Sequence, residues 1–379
     1  MSGSTQSQRL LPPKRLALFF DGTWNAADSK GDETNVARLA RAVQANSGDK
    51  PQIALYLRGV GTTGSQLQQL LAGATGDGVD ENIRAAYMFL CQNYLPQDEI
   101  FLFGFSRGAF TARSLAGFIG KCGLLMRQQL GLVRTAWAYY RSRTPGRSPQ
   151  DFNLRHGGTA AEPINHAPRI RFVGVWDTVG ALGIPDLAVT SDLAGQYAFH
   201  DTSPSDVIDI GRHALAIDEH RSAFVPTLWT QPVAPDTDIQ QVWFPGVHAD
   251  VGGGYARSDL AMIPLRWMAD EAKAAGLALD EKQLPQPATL RPLAPQHDSH
   301  SGFTSLGQKA IRAIMQATPD VGPMATLYFP RNANGARLST AVESLHPSVT
   351  TRHRQLIDVL DGNGTAIQRD IPYNPVNLP

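Results

Sequence analysis

Two rhythms of apolar residues alternate along the first two-thirds of the chain. Short unbroken apolar runs recur at Leu16 to Phe20, Ile53 to Leu57, Ile100 to Phe103, Ile170 to Trp176 and Ile239 to Phe244. Between several of them the apolar residues fall three and four apart. Val36, Leu39, Ala40 and Val43 do so within 34–45, and Ile83, Ala86, Tyr87 and Leu90 within 81–94. A compact apolar run bounded by turn residues fits a strand buried on both faces, and the wider spacing fits a helix with one buried face. The runs end in turns: Asp21-Gly22-Thr23, the glycine-rich 58–64, Asp177, and Pro245-Gly246. Strands separated by helical patterns predict an α/β fold, a mostly parallel sheet with helices on both faces.

Two stretches interrupt this rhythm and read as insertions. Residues 126–168 begin with the aromatic Trp137-Ala138-Tyr139-Tyr140 and then turn polar and glycine-rich, while 185–209 is a mixed loop. Either could cap a site or decorate the surface. Beyond about Leu279 the chain becomes proline-rich, and the part from 280 to 379 reads as loop-rich. The polar residues 1–13 read as a disordered N-terminus, which leaves 14–379 as a single catalytic-size domain.

Composition narrows the function classes. The 379 residues hold 34 basic and 34 acidic side chains, so a nucleic-acid binder relying on a general positive field is disfavoured. The two cysteines, Cys91 and Cys122, make no metal-binding spacing and read as buried hydrophobes. No signal peptide is read at the N-terminus, and no stretch approaches the roughly 20 apolar residues that span a bilayer. Synthesis as a soluble cytoplasmic chain is therefore expected, with no cofactor and no metal.

The candidate chemistry centres on Gly104-Phe105-Ser106-Arg107-Gly108, between a predicted strand and a predicted helix. A Gly-x-Ser-x-Gly at such a junction is a nucleophile elbow: the glycines permit a sharp turn and a close strand–helix approach, leaving the serine hydroxyl at the sheet edge. A serine hydroxyl needs a base, usually histidine, and a carboxylate to orient that base. In an α/β-hydrolase these follow in the order serine, acid, histidine, at the carboxyl ends of strands. Of ten histidines, His248 alone directly follows a predicted strand downstream of the serine. His213 and His220 fall in a helical stretch and His346 and His353 in the tail, and each reads as structural or surface. Asp177 ends the run Phe172 to Trp176 and is the candidate acid. Asp218 is its rival, with a helix salt bridge to Arg221 or Arg212 as the plainer reading. The backbone amides of Arg107 and Thr23 are the candidate oxyanion donors. Asp21 and Asp250 read as loop braces. A metal-dependent phosphoesterase using Asp21, Asp177, His248 and Asp250, and a non-catalytic binding protein on the same fold, remain the alternatives.

Several segments resemble one family together and in order. They are Phe20 to Asn25, Thr34-Asn35-Val36, Gly104 to Ala109, Val175 to Gly180, Ala214 to Arg221, Gly246 to Tyr255, and His346 to Val349 with Arg352. The chain is similar over about residues 15–355 to the DUF2235 family, the catalytic domain of Tle1-like phospholipase effectors of type VI secretion. The resemblance implies an α/β-hydrolase core with a triad of Ser106, Asp177 and His248, and ester hydrolysis with glycerophospholipids as substrate. It further implies transient membrane-surface contact, export without a signal peptide, and a secretion or immunity partner protein. The larger effectors carry added membrane-anchoring segments that this chain does not show, so a housekeeping esterase or lipase stays open beside a toxin.

Overall fold

The computed structural model describes residues 12–22, 33–46, 48, 50–59, 77–142, 148–180, 204–298, 309–322, 325–332, 336–361 and 365–378. Its centre is a sheet of seven strands: β1 (Arg15–Phe20), β2 (Gln52–Leu57), β3 (Glu99–Phe105), β4 (Ile170–Trp176), β5 (Ile208–Ala216), β6 (Asp238–Phe244) and β7 (Glu343–Leu345). They lie in the order β7-β6-β5-β4-β3-β1-β2, and every neighbouring pair is parallel.

Alternate residues of the central strands serve two cores. Leu16, Leu18, Ile100, Leu102 and Val173 face one side, and Ala17, Phe19, Phe101, Phe103 and Phe172 the other. This double burial is why the strands read as unbroken apolar runs rather than as alternating ones. On the first side pack α2 (Asp77–Asn93) and α3 (Arg107–Cys122). On the second pack α1 (Asn35–Ala42) and α6 (Met262–Ala274). Thr34 caps α1 by accepting from the amide of Ala37. The fold is thus α/β, a parallel sheet sandwiched between helices.

Two strands differ from expectation. The stretch containing His213 is not helical but forms β5, in the middle of the sheet. Its polar residues hide the strand pattern because they are buried for polar reasons. Arg212 pairs with Asp238 and Glu271 at 2.6 Å each, and His213 is enclosed by hydrogen bonds. Strand β7 has only three residues and lies in the proline-rich tail, where no apolar run marks it.

The described part of 126–168 holds α4 (Val133–Arg141) and α5 (Pro149–Arg155). It packs on the half of α3 remote from Ser106, not over the serine. Phe118 stacks on Tyr87 at 3.9 Å and on Tyr140 at 5.2 Å, with the edge of Trp137 at 5.4 Å. Most of 185–209, the other expected insertion, lies outside the described residues.

Truncating the fully buried Phe118 should open a cavity where this segment docks. Phe118→Ala is expected to lower unfolding free energy by about 3–5 kcal/mol in urea titrations. A loss below about 1 kcal/mol would contradict this packing.

Candidate active site

The sheet order reverses between β1 and β3, so the crevice beyond their carboxyl ends is the topological switch point where α/β proteins build sites. Ser106 stands there, between β3 and α3. Its backbone adopts φ 57°, ψ −123°, a conformation a non-glycine residue holds only when its surroundings enforce it. Its amide donates to Trp176 O at 3.0 Å, tying the turn to the end of β4. The two flanking glycines are explained by contact. A Cβ on Gly104 would lie 2.4 Å from Gly108 O, and one on Gly108 would lie 2.1 Å from Phe20 O. Arg107 opens α3, so the positive end of that helix adjoins the serine. Burial lowers the Arg107 guanidinium to about 10.

The candidate acid and the candidate base meet from the ends of different strands. Asp177 follows β4 and has no exposed surface. Its Oδ2 accepts from His248 Nδ1 at 2.6 Å, and its Oδ1 from the amide of Ala216 at 3.0 Å. A guanidinium completes the shell: Arg312 Nη1 reaches Oδ1 at 2.6 Å and Nη2 reaches Oδ2 at 3.0 Å. Burial alone would raise this carboxyl, but Arg312 and His248 outweigh it and hold Asp177 well below the usual aspartate range. With Asp177 ionised, the proton of neutral His248 sits on Nδ1, leaving Nε2 as the basic nitrogen. The His248 ring packs on Phe105, the residue before Ser106, at 4.5 Å and on Phe224 at 4.8 Å. Burial pulls His248 below 6.5, opposed by Asp177 and Glu219.

Three carboxylates shape the loop that presents His248. The amides of Gly246, Val247 and His248 donate in turn to Asp218 at 2.7 Å, Asp250 at 3.1 Å and Glu219 at 3.2 Å. Glu219 is also gripped by Arg221 and lies near 2. Asp250 accepts from His297 Nδ1 at 2.6 Å, and the buried Arg352 holds the segment leading to His297 through Pro292 O, Ala294 O and Gln296 Oε1. On the far side of the loop, Asn35 donates to Val251 O and Ala261 O.

Other sequence candidates fall as follows. Asp218 faces Gly246 and the Tyr373 hydroxyl, not His248, and residues 217–220 are not helical. Its expected partners are taken elsewhere, Arg221 by Glu219 and Arg212 by Asp238 and Glu271. Asp21 accepts from Gly22 N, Thr34 Oγ1 and Tyr56 OH, which makes it a brace of the turn after β1. With Asp250 committed to His297, the three carboxylates of the metal alternative are each engaged by protein donors, and His248 Nδ1 is turned to Asp177. Among the described residues no group of three His, Cys, Asp or Glu is placed to hold a metal ion. Thr23 lies outside the described residues, as does most of the glycine-rich 58–64. Sequence reasoning missed Arg312, Glu219 and His297. For Arg312 the available signal was a lone cation in Ala310-Ile311-Arg312-Ala313-Ile314.

A parallel α/β sheet with an elbow serine at its switch point, beside a buried aspartate–histidine pair, has the architecture of an α/β-hydrolase. A family model described as the catalytic domain of Tle1-like phospholipase effectors of the type VI secretion system matches residues 14–271, and the chain belongs to that family. It is similar to uncharacterized protein YEL023C of Saccharomyces cerevisiae, 31% identical over 238 residues, covering 57% of this chain and 33% of the yeast protein. Among solved structures it is similar to an uncharacterized protein from Pseudomonas aeruginosa, with TM-score 0.41, 20% identity, and coverage of 73% of this chain and 48% of that one. It is also similar to the Tle1 effector bound to the VgrG spike, with TM-score 0.35, 22% identity, and coverage of 64% and 51%. The chain thus spans about a third of the yeast protein and about half of each of these two structures.

Burial raises Asp218 from 3.8 to about 6. A carboxyl raised in the folded state stabilises the fold below its unfolded value, and that contribution is lost as pH rises through the folded value. From pH ~4 to ~7 wild type should lose on the order of 2–3 kcal/mol at this group. Asp218→Asn is expected to escape this loss, so its stability relative to wild type should climb across that window in denaturant titrations. A pH-independent difference would contradict the assignment.

Proposed function

We propose that the protein is a serine hydrolase that cleaves carboxylic esters of lipids, with phospholipids as the substrate class. The buried Asp177–His248 pair, packed against the residue preceding the elbow serine, carries this reading. In the proposed reaction His248 Nε2 takes the proton of Ser106 Oγ as that oxygen bonds to the ester carbonyl carbon. The carbonyl π electrons move onto oxygen, where the amides of Arg107 and Thr23 stabilise the charge. Asp177 holds the imidazolium in place. The tetrahedral intermediate collapses, the alcohol leaves with the proton from His248, and an acyl-enzyme remains. Water, deprotonated by His248, then releases the fatty acid and returns the proton to Ser106.

The phospholipid and the role as a type VI effector rest on family membership, not on residue chemistry. With them come export by that route, transient contact with a membrane surface, and a secretion or immunity partner. Among the described residues no helix is long and apolar enough to cross a membrane.

Fatty-acid release from a mixed phospholipid panel, beside short p-nitrophenyl esters, tests the reading. Wild type should release fatty acid, with an acid limb in kcat/KM below pH 6.5 because His248 must be neutral to act. Ser106→Ala should lower turnover by roughly 10³-fold or more with the fold intact. Undiminished hydrolysis by that variant would overturn the serine mechanism, and activity confined to short esters would remove the lipid substrate.

A further inference from the structure

Asp177 is answered by a cation from a segment beyond residue 271, where the family match ends. Arg312 closes the short strand Lys309–Arg312, which pairs in parallel with Ala325–Tyr328. Its guanidinium is buried and makes four hydrogen bonds. Two go to the two oxygens of Asp177, and the others to Ala216 O at 2.6 Å and Phe224 O at 2.7 Å. It therefore joins the acid, the end of β5, and the turn whose Phe224 ring packs on His248. Its own backbone is fixed as well: Ala310 N donates to His220 O, and Asn377 donates to Arg312 O at 3.1 Å and Ile217 O at 3.3 Å. A planar guanidinium forked onto a carboxylate sets that carboxylate's orientation as well as its charge.

We infer that Arg312 is a positioning residue of the candidate triad: its fork fixes the Asp177 carboxylate against His248 and neutralises it, so that His248 stays unprotonated to lower pH. The effect on turnover rests on the serine-hydrolase reading, whereas the effect on the titration of His248 does not.

The charges around His248 support this sign. Asp177 and Glu219 face it as anions, and Arg221 is paired with Glu219. Phe105 and Phe224 cover the ring. Around Asp177 stand Arg312 and the neutral His213, whose Nε2 accepts from the neighbouring Thr178 amide. Tyr328 is close enough to feel the charges of both Arg312 and Arg331. Two carboxylates are thus balanced by two guanidiniums. Removing Arg312 leaves a net negative charge in a buried site, which favours the imidazolium.

The test is an NMR titration of the His248 imidazole in the full chain, alongside pH profiles of ester hydrolysis, for wild type, Arg312→Met and Arg312→Lys. The Met variant should raise the His248 midpoint by on the order of one pH unit, moving the acid limb of kcat/KM with it. Its plateau kcat should fall about ten- to a hundredfold through lost orientation. The Lys variant keeps the charge with one prong, so the midpoint should stay while kcat falls. A folded Met variant with an unmoved midpoint would overturn the inference, because a merely structural arginine would change stability without changing titration. Should the Met variant not fold, the Lys variant decides: full kcat or a shifted midpoint overturns the inference. If wild type hydrolyses no ester, the serine reading fails while the NMR midpoint still decides the role of Arg312.

Discussion

The carboxylate of Asp177 has no exposed surface, and a bare charge in such a place would cost several kcal/mol. It stays ionised because four donors converge on it: the Ala216 amide, the His248 imidazole and both arms of Arg312. These come from the end of β5, the loop after β6, and a strand near residue 310. One local requirement therefore ties the sheet's carboxyl edge to the C-terminal third of the chain. It also fixes the histidine. An imidazole between an ionised carboxylate and two phenyl rings has one orientation and one tautomer available, and its basic nitrogen points away from the acid.

The loop carrying His248 answers the same physics from the donor side. Three successive amides with little access to water would be costly unpaired. Asp218, Asp250 and Glu219 take them one each. Each carboxylate is then balanced differently: Glu219 by Arg221, Asp250 by His297, and Asp218 by the Tyr373 hydroxyl at the cost of a raised pKa. The acidic residues around the histidine are thus scaffold for its backbone, and Asp177 is the one that meets its ring.

Much of this was legible in the sequence. Central strands buried on both faces leave unbroken apolar runs, so β1, β3, β4 and β6 could be read directly, and the half-exposed edge strand β2 shows an apolar run as well. The elbow could be read from its Gly-x-Ser-x-Gly spacing, although the contact that forces Gly108 comes from Phe20, distant in sequence. Strand β5 was hidden because Arg212 and His213 satisfy their polarity through residues distant in sequence, Asp238, Glu271 and Gln241. Strand β7 was too short to leave a pattern. Asp177 and His248 could be named from their positions at strand ends. What no local pattern could reveal was the pairing beyond them: Arg312 lies 135 residues from Asp177, and His297 lies 47 from Asp250. Such contacts are set by tertiary closure alone.

The central claim is that Ser106 is a nucleophile activated by His248. A fluorophosphonate reacts with activated serines, and its site can be mapped by peptide mass spectrometry. The account predicts one adduct, on Ser106, in the folded wild type, and its loss in His248→Ala. An adduct elsewhere, or equal labelling of the His248→Ala variant, would contradict it.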